Sequence, residues 1–164
     1  MLKSAMHINV QDILAEEVGY RRTFTITGER PSFESIQLTQ DIEGEITISR
    51  VDAGLLVRGR IATQIELTCD RCLSTFNRPV RVELSQIYSE QPKPEEEEMP
   101  IEDGGLDMAP LIEQDILVSL PIKLICRPDC RGVENASAEY TSGKTGTQLQ
   151  NQARITKGNK RGRT

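Results

Sequence analysis

Four cysteines in two close pairs constrain this chain more than any other feature. Cys69 and Cys72 form C-x2-C in "LTCDRCLSTF", and Cys126 and Cys130 form C-x3-C in "LICRPDC". These two pairs use every cysteine in the chain. A tetrahedral zinc site takes four thiolates at about 2.3 Å, commonly as two close pairs from two turns. A tight turn with two or three intervening residues aims both sulfurs at one ion. Serving one ion would require the second pair to return beside the first. The long intervening chain permits this, because loop-closure entropy grows only slowly with length. Two other readings stay open: a thiol–disulfide redox site, and reduced thiols with no further task. A thioredoxin-like site needs its C-x-x-C at a helix N-terminus near a βαβ unit.

Composition explains why a cross-link would help. The chain has 164 residues, 37% hydrophobic, with 4% aromatics and no tryptophan. That is lean for a single core of this length. It predicts one domain over 1–132 and a disordered basic tail over 133–164. Metal binding would then contribute folding free energy directly. No run reaches the ~18 apolar residues of a membrane-spanning helix. The start, "MLKSAMHINVQDILAEEVG", lacks the apolar stretch of a secretory leader. A cytoplasmic protein is expected, and in a reducing compartment paired cysteines favour metal or redox chemistry over structural disulfides.

The middle of the chain alternates with period two. Phe24 and Ile26 lie on one face of "RRTFTITGE", with threonines on the other. "DIEGEITISRV" places Ile46, Ile48 and Val51, and "LLVRGRIATQIEL" places Val57, Ile61 and Ile65. "RPVRVELSQIYSE" places Val80, Val82, Leu84 and Ile87. Such alternation predicts an antiparallel meander with one wet face, and puts "CDRC" in a turn between two strands. Asp12 is the expected cap of a short N-terminal helix running toward Gly19. A longer helix is predicted over 107–120, with Asp107 as cap, Pro110 in the first turn and Pro121 as the stop. Its apolar face would comprise Leu111, Ile112, Ile116, Leu117 and Leu120. The fold class is therefore α+β. The acidic, proline- and glycine-bearing stretch 90–106 reads as a flexible loop.

Other chemistry is thin. His7 is the only histidine, so a histidine-dependent triad would hang on a residue near the terminus. The carboxylates at 95–98 read as a solvated run. "EYTSGKTGTQLQ" lacks the spacing of a phosphate loop. The tail carries Lys157, Lys160, Arg161 and Arg163, cations that suit phosphates or simply keep a terminus soluble. An acidic-loop protein-interaction module unrelated to RNA is a further reading.

Three stretches in order resemble the YceD-like family of large ribosomal RNA subunit accumulation proteins. The first is "GEITISRVDAGLLVRGRIATQIELTCDRCLSTF", whose strands lead into a C-x-R-C-L turn with Cys69, Arg71, Cys72 and Leu73. The second is the acidic insert. The third is "LDMAPLIEQDILVSLPIKLICRPDCRG", similar to the family's helix ending in L-P and followed by C-x-x-x-C-x-G. Many members continue with a further G-L-C-x-x-C-G, whereas "RGVENASAEYTSG" follows here. The resemblance implies a non-enzymatic ribosome biogenesis factor that promotes accumulation of large-subunit ribosomal RNA. Its partner would be ribosomal RNA or a pre-ribosomal particle, met directly or through another protein, with no small-molecule substrate. The expected ligands of a structural Zn²⁺ are Cys69, Cys72, Cys126 and Cys130. Arg71, Arg127 and Arg131 flank them. They and the tail cations are the expected nucleic-acid contacts, or they offset the −2 charge of a four-thiolate zinc centre. The alternative function is a thiol redox sensor or oxidoreductase using the C-x-x-C pair.

Overall fold

A computed structural model describes residues 6–133. The elements in order are β1 (His7–Asn9), α1 (Gln11–Leu14), β2 (Arg21–Glu29), β3 (Gln37–Leu38), β4 (Ile42–Val51) and β5 (Gly54–Thr68). They continue with β6 (Thr75–Ser89), a 3-10 turn (Pro94–Glu96), β7 (Met99–Pro100), β8 (Gly105–Asp107) and α2 (Ala109–Ser119). The main sheet runs β2-β4-β5-β6-β7, with β3 added to β5, and β1 pairs β8 in a separate two-stranded ribbon. The central pairings are antiparallel; only β6 with β7 is parallel. This is the expected α+β architecture with a meander at its centre.

The longest feature is the β5–β6 hairpin. Its register runs from Leu55↔Tyr88 to Thr68↔Thr75. Alternation decides which face is buried. Ile46, Ile48, Val57, Ile61, Ile65, Val80, Val82 and Leu84 are buried on the inner face. Arg58, Arg60, Arg81 and Glu83 are exposed on the outer one. Pro79 is tolerated in β6 because it lies where β6 has a strand on one side only. The inner face is covered by Val10, Ile13, Leu106, Met108, Leu111, Ile112 and Ile116, which share one core with it.

Several expectations shift by a residue. Ile87 has the outward parity of β6, and Tyr88 takes the buried place. Val51 sits at the β4–β5 turn, opposite Gly54, rather than on the Ile46–Ile48 face. Leu117 is 42% exposed, so the buried stripe of α2 is Leu111, Ile112 and Ile116. In α1, Asp12 lies in the first turn, and Asn9 Oδ1 accepts the Gln11 N–H at 3.0 Å instead. The cap position of α2 is Met108 rather than Asp107, whose Oδ1 accepts the Ala109 N–H at 3.0 Å from one residue earlier. The acidic stretch expected as a flexible loop carries the 3-10 turn, β7 and the start of β8, with Met99 and Ile101 packed on the core. Its apolar residues are spaced singly among carboxylates, which hides them from a composition argument. The tail lies outside the described residues apart from Val133.

Topology places the two cysteine pairs together. The first pair occupies the tip of the β5–β6 hairpin. Leu120 leaves α2 in an extended conformation before Pro121, and the chain returns to that tip. The acidic stretch follows the other end of β6. At ~3.3 Å per residue, the two ends of this strand are about 45 Å apart.

Candidate metal centre

The hairpin tip is a turn held by its own backbone. The Cys69 N–H donates to Ser74 O, and the Leu73 N–H donates to Cys69 O, both at 2.9 Å. The turn closes with Leu73 in the left-handed region, at φ 61. The second pair lies in a tighter turn, in which the Cys130 N–H donates to Arg127 O at 3.1 Å. Gly132 follows at φ 81, a conformation that glycine adopts without steric cost.

The two turns are stitched to each other. The Asp70 N–H donates to Leu124 O at 2.7 Å, and Asp70 Oδ2 accepts the Leu124 N–H at 2.7 Å. Arg71 Nη1 donates to Cys130 O at 3.0 Å. The Cys126 N–H points at Cys69 Sγ from 3.4 Å. Both middle residues of "CDRC" thus hold the second half in place.

The outcome is a compact set of sulfurs. Cys69 Sγ lies 3.9 Å from Cys130 Sγ, and Cys72 Sγ lies 3.8 Å from Cys126 Sγ. All four ligand atoms fall within 4.8 Å of one another. A tetrahedron with metal–sulfur bonds of ~2.3 Å has edges of about 3.8 Å. The donor set and its spacing therefore fit a four-thiolate metal ion. Cys69 and Cys130 are buried, and Cys72 and Cys126 are half-buried. The half-buried pair opens onto a groove lined by Ser74, Arg127, Asp129 and Arg131.

The thiols differ in acidity for visible reasons. Cys69 is lowered to about 6 by the backbone N–H groups of Cys72 and Cys126, then that of Arg71, against the opposing effect of burial. Cys72 is lowered chiefly by the Ser74 hydroxyl, 2.8 Å from its sulfur. Cys126 is pushed up to about 12 by burial first, then by the neighbouring thiols Cys130, Cys69 and Cys72. Cys69 and Cys72 are shifted toward the thiolate, whereas burial first and the neighbouring sulfurs second oppose ionisation of Cys126. A divalent cation at the centre would remove that opposition.

The expected redox geometry is absent from this site. "CDRC" occupies a β-hairpin tip, not a helix N-terminus. The cross-segment contacts pair Cys69 with Cys130 and Cys72 with Cys126. Of the expected nucleic-acid contacts, Arg127 and Arg131 line the groove. Arg127 also lies 3.5 Å from Asp129, both side chains being well exposed. Arg71 turns its guanidinium to the Cys130 carbonyl and serves the stitching first. Lys157, Lys160, Arg161 and Arg163 lie outside the described residues. Asp70 and Ser74 were not legible as site residues, because their partners, Leu124 and a cysteine sulfur, become visible only once the turns are folded.

A family model described as large ribosomal RNA subunit accumulation protein YceD matches residues 57–160. The chain belongs to this family. The match begins within β5 and takes in both halves of the sulfur cluster. Relatives described as uncharacterized proteins of Mycobacterium bovis and Mycobacterium tuberculosis are 28% identical over 95 residues, covering 54% of this chain and 46% of each relative. The chain thus spans about half the length of the curated relatives it matches. No solved structure matches it. Among the described residues no helix is long and apolar enough to cross a membrane.

Proposed function

We propose that this chain is a non-enzymatic ribosome biogenesis factor that promotes accumulation of large-subunit ribosomal RNA. Membership of the family supports a ribosome-related role. The observation that carries the molecular reading is the set of four sulfurs within 4.8 Å of one another, with Cys69–Cys130 at 3.9 Å and Cys72–Cys126 at 3.8 Å, close to a tetrahedron's edge. Zn²⁺ is the proposed occupant, held by Cys69, Cys72, Cys126 and Cys130. It would supply charge neutralisation and a covalent-strength cross-link, with no open position for a reacting water. The chain's own residues do the rest. Asp70 and Arg71 register the two halves, and the cross-link keeps the tip of β5–β6 and the segment after α2 as one rigid end.

Arg127 and Arg131, on the groove beside the cluster, are the proposed phosphate contacts of that end, together with Lys157, Lys160, Arg161 and Arg163. Its proposed setting is the cytoplasm, and its proposed target is ribosomal RNA or a pre-ribosomal particle. The alternative, a thiol redox protein, draws on the lowered acidity of Cys69. Full burial of that sulfur argues against an attacking role, which needs access.

The test joins metal to RNA. Purified untagged protein should hold about one zinc per chain. Cells carrying Cys126→Ser in place of the natural gene should show a lowered ratio of large- to small-subunit ribosomal RNA. Metal-free protein that stays folded and cycles between thiol and disulfide would replace this reading with the redox one. A normal RNA ratio in cells lacking the gene would remove the ribosomal role.

A further inference from the structure

The main sheet has two free edges, and the chain guards them unequally. At the β6 edge Pro79 interrupts the backbone donors, and Arg78, Arg81 and Glu83 stand along the strand. Proline and charge are common guards of an open edge. The β2 edge lacks both in its middle, where Thr23, Phe24, Thr25, Ile26 and Thr27 follow one another. Among the described residues nothing pairs with its outer side. The ladder shows which groups are left free. Tyr20 O accepts the Arg50 N–H at 2.8 Å, so these two residues form a bonded pair. Bonded and non-bonded pairs alternate along an antiparallel ladder. Arg22, Phe24 and Ile26 therefore spend their backbone groups on β4, and Arg21, Thr23 and Thr25 turn theirs outward. Beside this edge Met6, Ile8, Phe24 and Ile26 line a groove of about 170 Å³. The groove lies between β1 and β2, which are not bonded to each other.

We propose that β2 pairs antiparallel with β2 of a second copy, about a two-fold axis through Thr25. The order of the strand is complementary to itself in that register. Phe24 falls opposite Ile26 of the other copy, so each ring enters the groove that the other copy's Ile26 lines. The bulge after Ile26 then aligns charge. From Ile26 to Glu29 β2 advances three residues while β4 advances two, from Gly44 to Ile42. The extra residue puts Glu29 on the same side as Ile26. Arg22 shares that side, and the register sets it opposite Glu29 of the second copy. Arg30, the next cation, is held by Asp41 at 2.8 Å. A parallel partner copy would set Arg21 and Arg22 against their own like charges. The two-fold axis makes each of these contacts twice. The pairing uses no residue of the metal centre and stands apart from the ribosomal reading.

The full chain, as purified, is followed by sedimentation equilibrium over a concentration series, with amide exchange read by NMR. The expected result is a dimer whose Thr23 and Thr25 amides exchange slowly where the dimer forms and fast on dilution. Thr25→Pro removes an outward N–H and no bond to β4, a placement that an edge strand tolerates. This variant should be monomeric and keep the circular dichroism of the parent. Glu29→Arg should weaken the dimer about tenfold, because two like-charge contacts replace two opposite ones. Adding Arg22→Glu to Glu29→Arg should restore most of the affinity. A chain that stays monomeric through the series would overturn the proposal, as would a dimer that survives Thr25→Pro. A double variant that associates no better than Glu29→Arg would overturn the register and the proposal with it. Should Thr25→Pro fail to fold, Thr25→Lys takes its place by setting two like charges at the axis, and a dimer that survives it overturns the pairing equally.

Discussion

Asp70→Ala tests whether the site is built by its stitching or only by its thiols. The substitution removes the carboxylate that accepts the Leu124 N–H at 2.7 Å, and leaves the backbone bond from the Asp70 N–H to Leu124 O in place. A hydrogen bond to a charged group is worth about 1.5–3 kcal/mol. The carboxylate here is exposed, so the low end applies. That loss bears on how well two segments 54 residues apart are held for one ion. At about 1.4 kcal/mol per factor of ten, metal affinity should fall roughly tenfold. The low end of the ~10–100-fold range seen when partners of metal ligands are removed agrees with this. The assay is competition for zinc with a chromogenic chelator at fixed pH and salt. Cobalt substitution supplies a second readout: the four-thiolate absorption should keep its shape while affinity drops. Asp129→Ala, which breaks only an exposed ion pair, should change little. Unchanged affinity in Asp70→Ala would refute the idea that the Leu124 tether sets the site. An altered cobalt spectrum would show that a ligand had been lost rather than mispositioned.

Four further outcomes are expected. Cys72→Ser should lose the metal and most of its protection against proteolysis at the β5–β6 tip, read by limited digestion and metal analysis. Zinc affinity should fall as pH falls, because binding displaces thiol protons. Binding at pH 7 must displace the proton of Cys126, pushed up to about 12, and the dependence should steepen below about 6, where Cys69 also protonates; a pH series of the chelator competition checks this. Ile112→Ala, at a fully buried position of α2, should cost about 2–5 kcal/mol in urea unfolding. Replacing Lys157, Lys160, Arg161 and Arg163 together by alanine in the full chain should flatten the salt dependence of binding to single-stranded ribosomal RNA. The slope of log K against log salt should shrink by up to about 3, from ~0.7 per phosphate contact, and an unchanged slope would remove the tail from the interface.

Much of this protein follows from its sequence alone. Period-two alternation in the segments around Ile46, Ile61 and Val82 required strands with one buried face, because successive side chains in a strand point to opposite sides. Pro121 required α2 to stop, and two close cysteine pairs predicted a shared site. What the sequence left open depends on contacts between distant residues. Whether Ile87 or Tyr88 faces the core is set by pairing with β5, and pairing is a property of two strands. That 95–106 contributes β7 and packs Met99 and Ile101 needed the edge of β6 to dock against. The roles of Asp70 and Arg71 depended on Leu124 and Cys130, which reach them only after α2 has turned the chain back. Local steric preference and burial are written along the chain, but the bonds that hold a site together join segments whose proximity only the closed fold provides.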